Sequence, residues 1–280
     1  KFGINANLTT YSNVVTDIAT NKQLWGNVSL NNGGPISRTV VGGSLGEFYG
    51  YISEGIFQTQ EEVDAANASV DNDPSTPYQF AGTVPGDFKW KDIDGDGKVT
   101  ADKDRTVIGS PVPDFTYGFG LNLGYKDFDL SALFNGVQGR EIYNGLRSYL
   151  EGSGYANLNH SVNVLNGWNG PGTSNTIARA VNSDPNHNGS TVSSSYVEDG
   201  SFLRLRSAQL TYTLPKLFIS TLKIVNAQLF VSGENLLTFT KYKGYDPEVG
   251  NTGSSNLSSG IEMEIYPQAK SFHLGARITF

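Results

Sequence analysis

The sequence predicts an all-β chain whose strands build the wall of a large antiparallel transmembrane β-barrel with long extracellular loops. Three observations lead there. Two segments, FTYGFGLNLGY at 115–125 and SFHLGARITF at 271–280, alternate between apolar and small or polar residues. Gly (33), Phe (15) and Tyr (14) are abundant while charged residues make up only 17%, a composition that favours pleated strands over helices. Long polar inserts separate the strands on one side, as barrel loops do.

In Phe115–Tyr125, Phe115, Tyr117, Phe119, Leu121, Leu123 and Tyr125 share one face, and Thr116, Gly118, Gly120, Asn122 and Gly124 share the other. Aromatics at both ends of an aliphatic band suit the two headgroup layers of a bilayer. Lys126-Asp127 reads as a tight turn into KDFDLSALFNG, where Phe128, Leu130, Ala132 and Phe134 form the next apolar face. At the end of the chain Phe272, Leu274, Ala276, Ile278 and Phe280 oppose Ser271, His273, Gly275, Arg277 and Thr279. An arginine and a histidine behind a greasy stripe fit a wet or plugged lumen. A terminal strand closing on Phe280 resembles the signal read by the outer-membrane insertion machinery.

Further strands are expected at Phe2–Tyr11, Gly46–Phe57, Phe202–Leu214 and Ala227–Phe239, with a bulge near Ser207 where the alternation slips. Arg204 and Arg206 would face the lumen, there to contact ligand or, as the preferred reading, to pair with carboxylates on a plug or on neighbouring strands. Gln60–Pro85, Glu151–Ser195 and Gly250–Gly260 read as polar surface loops.

Composition excludes several classes. A net charge of −7 argues against nucleic-acid binding. The absence of cysteine removes a disulfide scaffold, a thiolate zinc site and a cysteine nucleophile. No apolar run reaches the length of a membrane helix, and a mean hydropathy of −0.30 suits a soluble protein and a β-barrel equally. The chain opens on Lys1 with neither Met nor a signal peptide, which reads as a mature or truncated piece. GGSLG at 42–46 has the spacing of a hydrolase nucleophile elbow, but strand-like EFYGYISEGIF follows where that motif needs a helix. No enzyme is expected. The N-x-S/T sequons are attributed to abundant Asn; Trp90 and Trp168 read either as platforms that stack on sugars or, more often for such residues, as interface anchors or loop cores.

DIDGDGKVTADKDRTVIG, 92–109, carries a calcium-loop pattern. Asp92, Asp94 and Asp96 hold positions one, three and five, Gly97 the sharp turn, and Lys98 would give its backbone carbonyl. Lys103 stands where a bidentate Glu belongs, and either flanking residue, Asp102 or Asp104, can close the site. A structural Ca2+ held by hard oxygens is the expected cofactor. Without it, the stretch is an Asp/Gly connection stabilised by Asx-turns.

Five blocks carry a resemblance across almost the whole chain. They are SRTVVGGSLGEFYGYISEGIFQTQEEV, PGDFKWKDIDGDGKVTADKDRTVIGSPVPDFTYGFGLNLGYKDFDLSALFNGVQG, YVEDGSFLRLRSAQLTYTLP, LFVSGENLLTFTKYKGYDPEV and YPQAKSFHLGARITF. In this order they resemble the C-terminal part of SusC/RagA-type TonB-dependent outer-membrane transporters of the Bacteroidetes. The resemblance implies active import of a glycan or oligopeptide through a multi-pass barrel in the Gram-negative outer membrane. It implies energy from TonB, a SusD-like surface lipoprotein resting on loops such as Glu151–Ser195, and no covalent chemistry. It makes Asp104 the closing ligand of the Asp loop. The family's N-terminal plug, TonB box and earlier strands have no counterpart in residues 1–280, so the chain is expected to pair with the remainder of such a transporter. The rival expectation is a soluble, calcium-stabilised β-sandwich that binds carbohydrate at a cell surface. The two differ in what the apolar stripes touch: lipid or a second sheet.

Overall fold

A computed structural model describes residues 1–30, 33–68, 76–152, 158–219, 224–250 and 255–280. Parts of the Gln60–Pro85, Glu151–Ser195 and Gly250–Gly260 inserts lie outside the described residues. Six strands form one antiparallel sheet: β1 (Phe2–Thr10), β2 (Phe115–Tyr125), β3 (Phe128–Gln138), β4 (Phe202–Thr213), β5 (Asn226–Thr240) and β6 (Ser271–Thr279), each beside its neighbour in the chain. β2 and β3 have 11 residues each, enough to cross a bilayer when tilted. Lys126, at φ 54°, takes the left-handed position of the two-residue hairpin between them.

Register fixes the faces. Ile4, Leu121, Ala132 and Ala208 align across four strands, as do Phe2, Leu123, Leu130, Leu210, Val231 and Leu274 across six. The same register aligns Asn5 with Gly120, and Gln209 with Ser131 and Ser232, on the opposite face. Phe230 breaks the polar pattern there, and its ring lies over Gly275, where a Cβ would come within 2.4 Å of it.

The expected bulge is present. Ser207 and Leu205 of β4 pair with adjacent residues of β3, Leu133 and Phe134, so Arg206 has no ladder partner. On β5 the same site spans Glu234 to Leu237, with Asn235 at φ 52°. The extra residue resets the alternation, so that Arg204 and Ser207 share the polar face while Leu205 and Ala208 share the apolar one.

No other sheet covers the apolar face among the described residues. Leu274 is 86% and Phe280 85% exposed. Buried apolar side chains instead gather in three clusters, all built from the insertions at one end of the sheet. Trp90, Phe57, Val63 and Phe88 form one, joined by Ala178 and Trp168; Phe48, Ile36, Tyr143, Val192, Tyr196 and Ile261 form the second; Ile142, Tyr242 and Val249 form the third. The insertions between β1 and β2, between β3 and β4, and between β5 and β6 therefore interlock as one cap. A small sheet of Glu141–Asn144, Val197–Asp199 and Ile261–Glu262 joins the last two, and Phe48 meets Tyr143 edge-on from the first.

Two expectations change here. Gly46–Phe57 is not a wall strand but two short cap strands, Glu47–Tyr51 and Ser53–Ile56, because its alternating residues feed the cap core and Gly55 takes φ 112°. The polar inserts do more than line the surface. A helix, α1, occupies Gln60–Ala68, with Val63 buried. Residues 168–192 reach the core through a buried amide network: Asn186 and Asn188 hold Gln79, the Phe88 backbone and Asp87.

Charge on the apolar face tests the assignment. In the assembled barrel, Ala208→Arg, in the central row with Leu121 and Ala132, is expected to destabilise by about 2–4 kcal/mol, while Gln209→Arg, one residue along and on the opposite face, stays near neutral. Urea unfolding in detergent reads the difference; equal effects contradict the facing.

Candidate functional site

The cap is fastened to the wall at the β4–β5 bulge. Arg204, fully buried, donates to Asp246 Oδ1 at 2.6 Å, to Glu248 Oε2 at 2.5 Å and to Thr238 Oγ1 at 2.9 Å. Arg206 reaches the same Glu248 oxygen at 3.1 Å and Asn235 Oδ1 at 3.2 Å. Asp246 also accepts the Glu248 and Gln268 amides at 2.9 and 3.0 Å. Arg140 donates to the Pro247 and Val249 carbonyls. Burial alone would raise the Asp246 pKa, but these donors and the Arg204 charge hold it below the ordinary carboxylate value. The arginines do pair with carboxylates, but the partners come from the 241–249 insertion of the cap, not from a plug or neighbouring strand.

That insertion borders a cleft. Helix α2 (Gly145–Glu151) starts at Asn144, whose side chain accepts the Arg147 amide. Arg147 then donates to Glu151 Oε2 at 2.7 Å, Glu198 Oε1 at 2.6 Å and the Ser195 carbonyl at 2.7 Å. Glu198 accepts the Lys243 amide at 2.9 Å, and Asn163 donates to Glu151 at 3.0 Å. Arg147, Glu151, Asn163, Ser195, Glu198 and Lys243, with Ser53, Asn166, Thr176 and Ser194, line a cleft of about 620 Å³. Its carboxylates are occupied by Arg147, and no histidine or cysteine lines it. Hydroxyls, amides and Lys243 remain, which suits recognition of a polar chain by hydrogen bonds.

The Asp loop closes on itself. Asp92 accepts the Gly95 and Gly97 amides, both at 2.7 Å; Asp94 accepts the Asp96 amide at 3.2 Å and Asp96 the Lys98 amide at 3.0 Å. Oxygens of Asp92, Asp94 and Asp96 lie within 4.8 Å of one another. Lys103 places its ammonium between Asp94 (3.0 Å) and Asp96 (2.5 Å), which lowers the Asp96 pKa and raises its own. Asp104 is fully buried and lies outside this cluster. It accepts the Ile93 and Thr100 amides at 2.7 Å each and so pins the two ends of the loop together. Three hard carboxylates fit a divalent cation, provided that Lys103 swings out.

Sequence reasoning missed the cleft, whose lining runs from Ser53 to Lys243 with no local motif. GGSLG is a turn, with Gly42 and Gly46 at positive φ and Ser44 bonded to Asn13.

An open antiparallel wall with a lipid-type face, carrying its polar loops at one end, defines a segment of a transmembrane β-barrel. Comparison with known proteins supplies the family. TonB-dependent receptor P3 of Formosa agariphila is 35% identical over 85% of this chain, and receptor P26 of the same organism 33% over 87%. TonB-dependent receptor SusC of Bacteroides thetaiotaomicron is 29% identical over 67%. The solved RagAB peptide transporter matches all of this chain with a TM-score of 0.71 at 24% identity, covering 27% of that chain. No family model matches. The chain belongs to the TonB-dependent receptors of the SusC/RagA type, a family of receptors and transporters and not of enzymes. It spans 22–23% of the length of the Formosa relatives.

Three substitutions separate the elements described. Arg204→Ala strands Asp246 in a buried position and is expected to cost on the order of 3 kcal/mol, read as proteolytic cutting within 241–249. Because the Asp246 pKa is depressed in the folded protein, its contribution is complete above the ordinary carboxylate range and is lost as pH falls through the depressed value. Acidification of the unmodified protein should therefore reproduce the cutting pattern. Asp104→Ala leaves the Ile93 and Thr100 amides without acceptors and is expected to cost about 1–3 kcal/mol, whereas Asp102→Ala stays within about 0.5 kcal/mol. Thermal unfolding compares them.

Proposed function

We propose that the chain is the C-terminal portion of a barrel that imports a large nutrient, a glycan or an oligopeptide, across the outer membrane of a Gram-negative bacterium. The plug, the TonB box and the remaining strands belong to the rest of that transporter. TonB supplies the energy, and a SusD-like lipoprotein sits on the cap. The observation that carries this reading is the division of labour in the fold: among the described residues the wall shows an uncovered apolar face, and all three buried apolar clusters lie in the cap. Unpaired edges of such a wall cost several kcal/mol per backbone group in hydrocarbon, so its strands function only within a closed barrel. The cleft beside Arg147 and Lys243 offers polar contacts to cargo.

Within the same reading, Ca2+ takes the place of the Lys103 ammonium among Asp92, Asp94 and Asp96 and orders the loop. Calcium titration of the intact transporter is expected to show one site, tightened by Lys103→Gln and abolished by Asp94→Asn with Asp96→Asn. No heat of binding in any variant contradicts the metal.

Fractionation and growth test the transport reading. The protein is expected in the outer membrane, in complex with a surface lipoprotein. Its deletion should abolish growth on one glycan or peptide class and not on simple sugars. Recovery from the soluble fraction contradicts it.

A further inference from the structure

A second surface of the cap has chemistry that the cleft does not. Leu24–Trp25, Ser37–Thr39, Glu47–Tyr51 and Arg105–Gly109 form a four-stranded sheet with unlike faces. Ser37, Thr39 and Phe48 are buried on one side. The other side carries Trp25, Arg38, Tyr49 and Arg105. The Arg38 guanidinium lies 3.5 Å from the Tyr49 ring centre. The Arg105 guanidinium lies 5.0 Å from the same ring and 5.8 Å from the Trp25 ring, and donates to the Tyr49 carbonyl at 3.0 Å. The two rings stand 5.9 Å apart, and the indole is more than a third exposed.

Neither guanidinium is in an ion pair among the described residues, whereas Arg147, Arg179, Arg204 and Arg206 each hold a carboxylate. Glu47 stands opposite Arg38 in register but gives its carboxylate to the Ser44 amide at 2.8 Å. Two like charges thus gather round one aromatic ring in a chain of net charge −7. Cation–π attraction offsets part of their repulsion; an anion would remove the rest. Arg105 also borders a cavity of about 260 Å³ shared with Tyr51, His187, Ser190 and Thr191.

We propose that this face and its adjoining cavity bind an acidic oligosaccharide, one whose sugars carry carboxylate or sulfate groups. The guanidinium forks take the anionic groups. The exposed indole stacks on the C–H face of a sugar ring, a contact that an acidic peptide does not need. Ser190, Thr191 and His187 meet the sugar hydroxyls in the cavity. This inference rests on the import reading and narrows its cargo.

Calorimetry on the intact detergent-purified transporter tests it with three probes: a galacturonic acid oligomer, a neutral galactose oligomer and a glutamate oligomer. The galacturonate is expected to bind about tenfold tighter than the neutral sugar, with an advantage that shrinks in high salt. Arg38→Gln with Arg105→Gln should erase that advantage, and Trp25→Ala should weaken both sugars. Equal binding of acidic and neutral sugars by the unmodified protein overturns the inference without recourse to any variant. So does tighter binding of the glutamate oligomer, or an unchanged preference in the double variant. If the protein still imports a nutrient from the outer membrane, such a result leaves the import reading standing; a protein found in the soluble fraction removes that reading itself.

Discussion

Contact between every second side chain and an apolar surround is the constraint from which the rest of this structure follows. In water, a sheet with one greasy face must bury it against a second layer. Among the described residues the six-stranded wall has no such layer, and its aliphatic face stays open while Trp90, Tyr143 and Phe48 are buried elsewhere. The wall can be thin because hydrocarbon plays the part of the missing layer and the ladder satisfies the backbone. Glycines on the polar face and the β4–β5 bulge keep that division intact along strands of unequal length.

A wall without a core cannot by itself position loops, so a separate cap does so. Its apolar clusters draw on insertions far apart in sequence, and buried amides such as Asn186 and Asn188 bind them to one another. The link to the wall is electrostatic: Arg204 from a strand, Asp246 and Glu248 from the cap. A buried charge pair is a costly way to gain stability but a good way to fix one arrangement. The same 241–249 segment carries Lys243 to the edge of the cleft, so the clamp that joins cap to wall also sets one side of that cleft.

Much of the wall was legible in the sequence because period-two alternation is local. Phe115–Tyr125 and the final strand could be read residue by residue, and the slip near Ser207 marked a real bulge. The cap was not legible in the same way. Gly46–Phe57 alternates like a wall strand, yet its burial is set by Ile36, Tyr143 and Val192, none of them sequence neighbours. The partners of Arg204 were misplaced because nothing local links it to Asp246, 42 residues on. In the Asp loop the trio of carboxylates was visible from spacing alone, while the separate work of Asp104, pinning Ile93 and Thr100, follows from burial that spacing does not encode.

The chain contains no cysteine, so single cysteines can be placed one at a time through β6 in the assembled barrel and spin-labelled. Collision with lipid-soluble oxygen and with a water-soluble nickel complex then reports the surroundings of each site. Labels at 272, 274, 276 and 278 should favour oxygen, and those at 271, 273, 275 and 277 nickel, in strict alternation. A flat profile, or protection of the even positions from both reagents by packed protein, contradicts the lipid-facing wall.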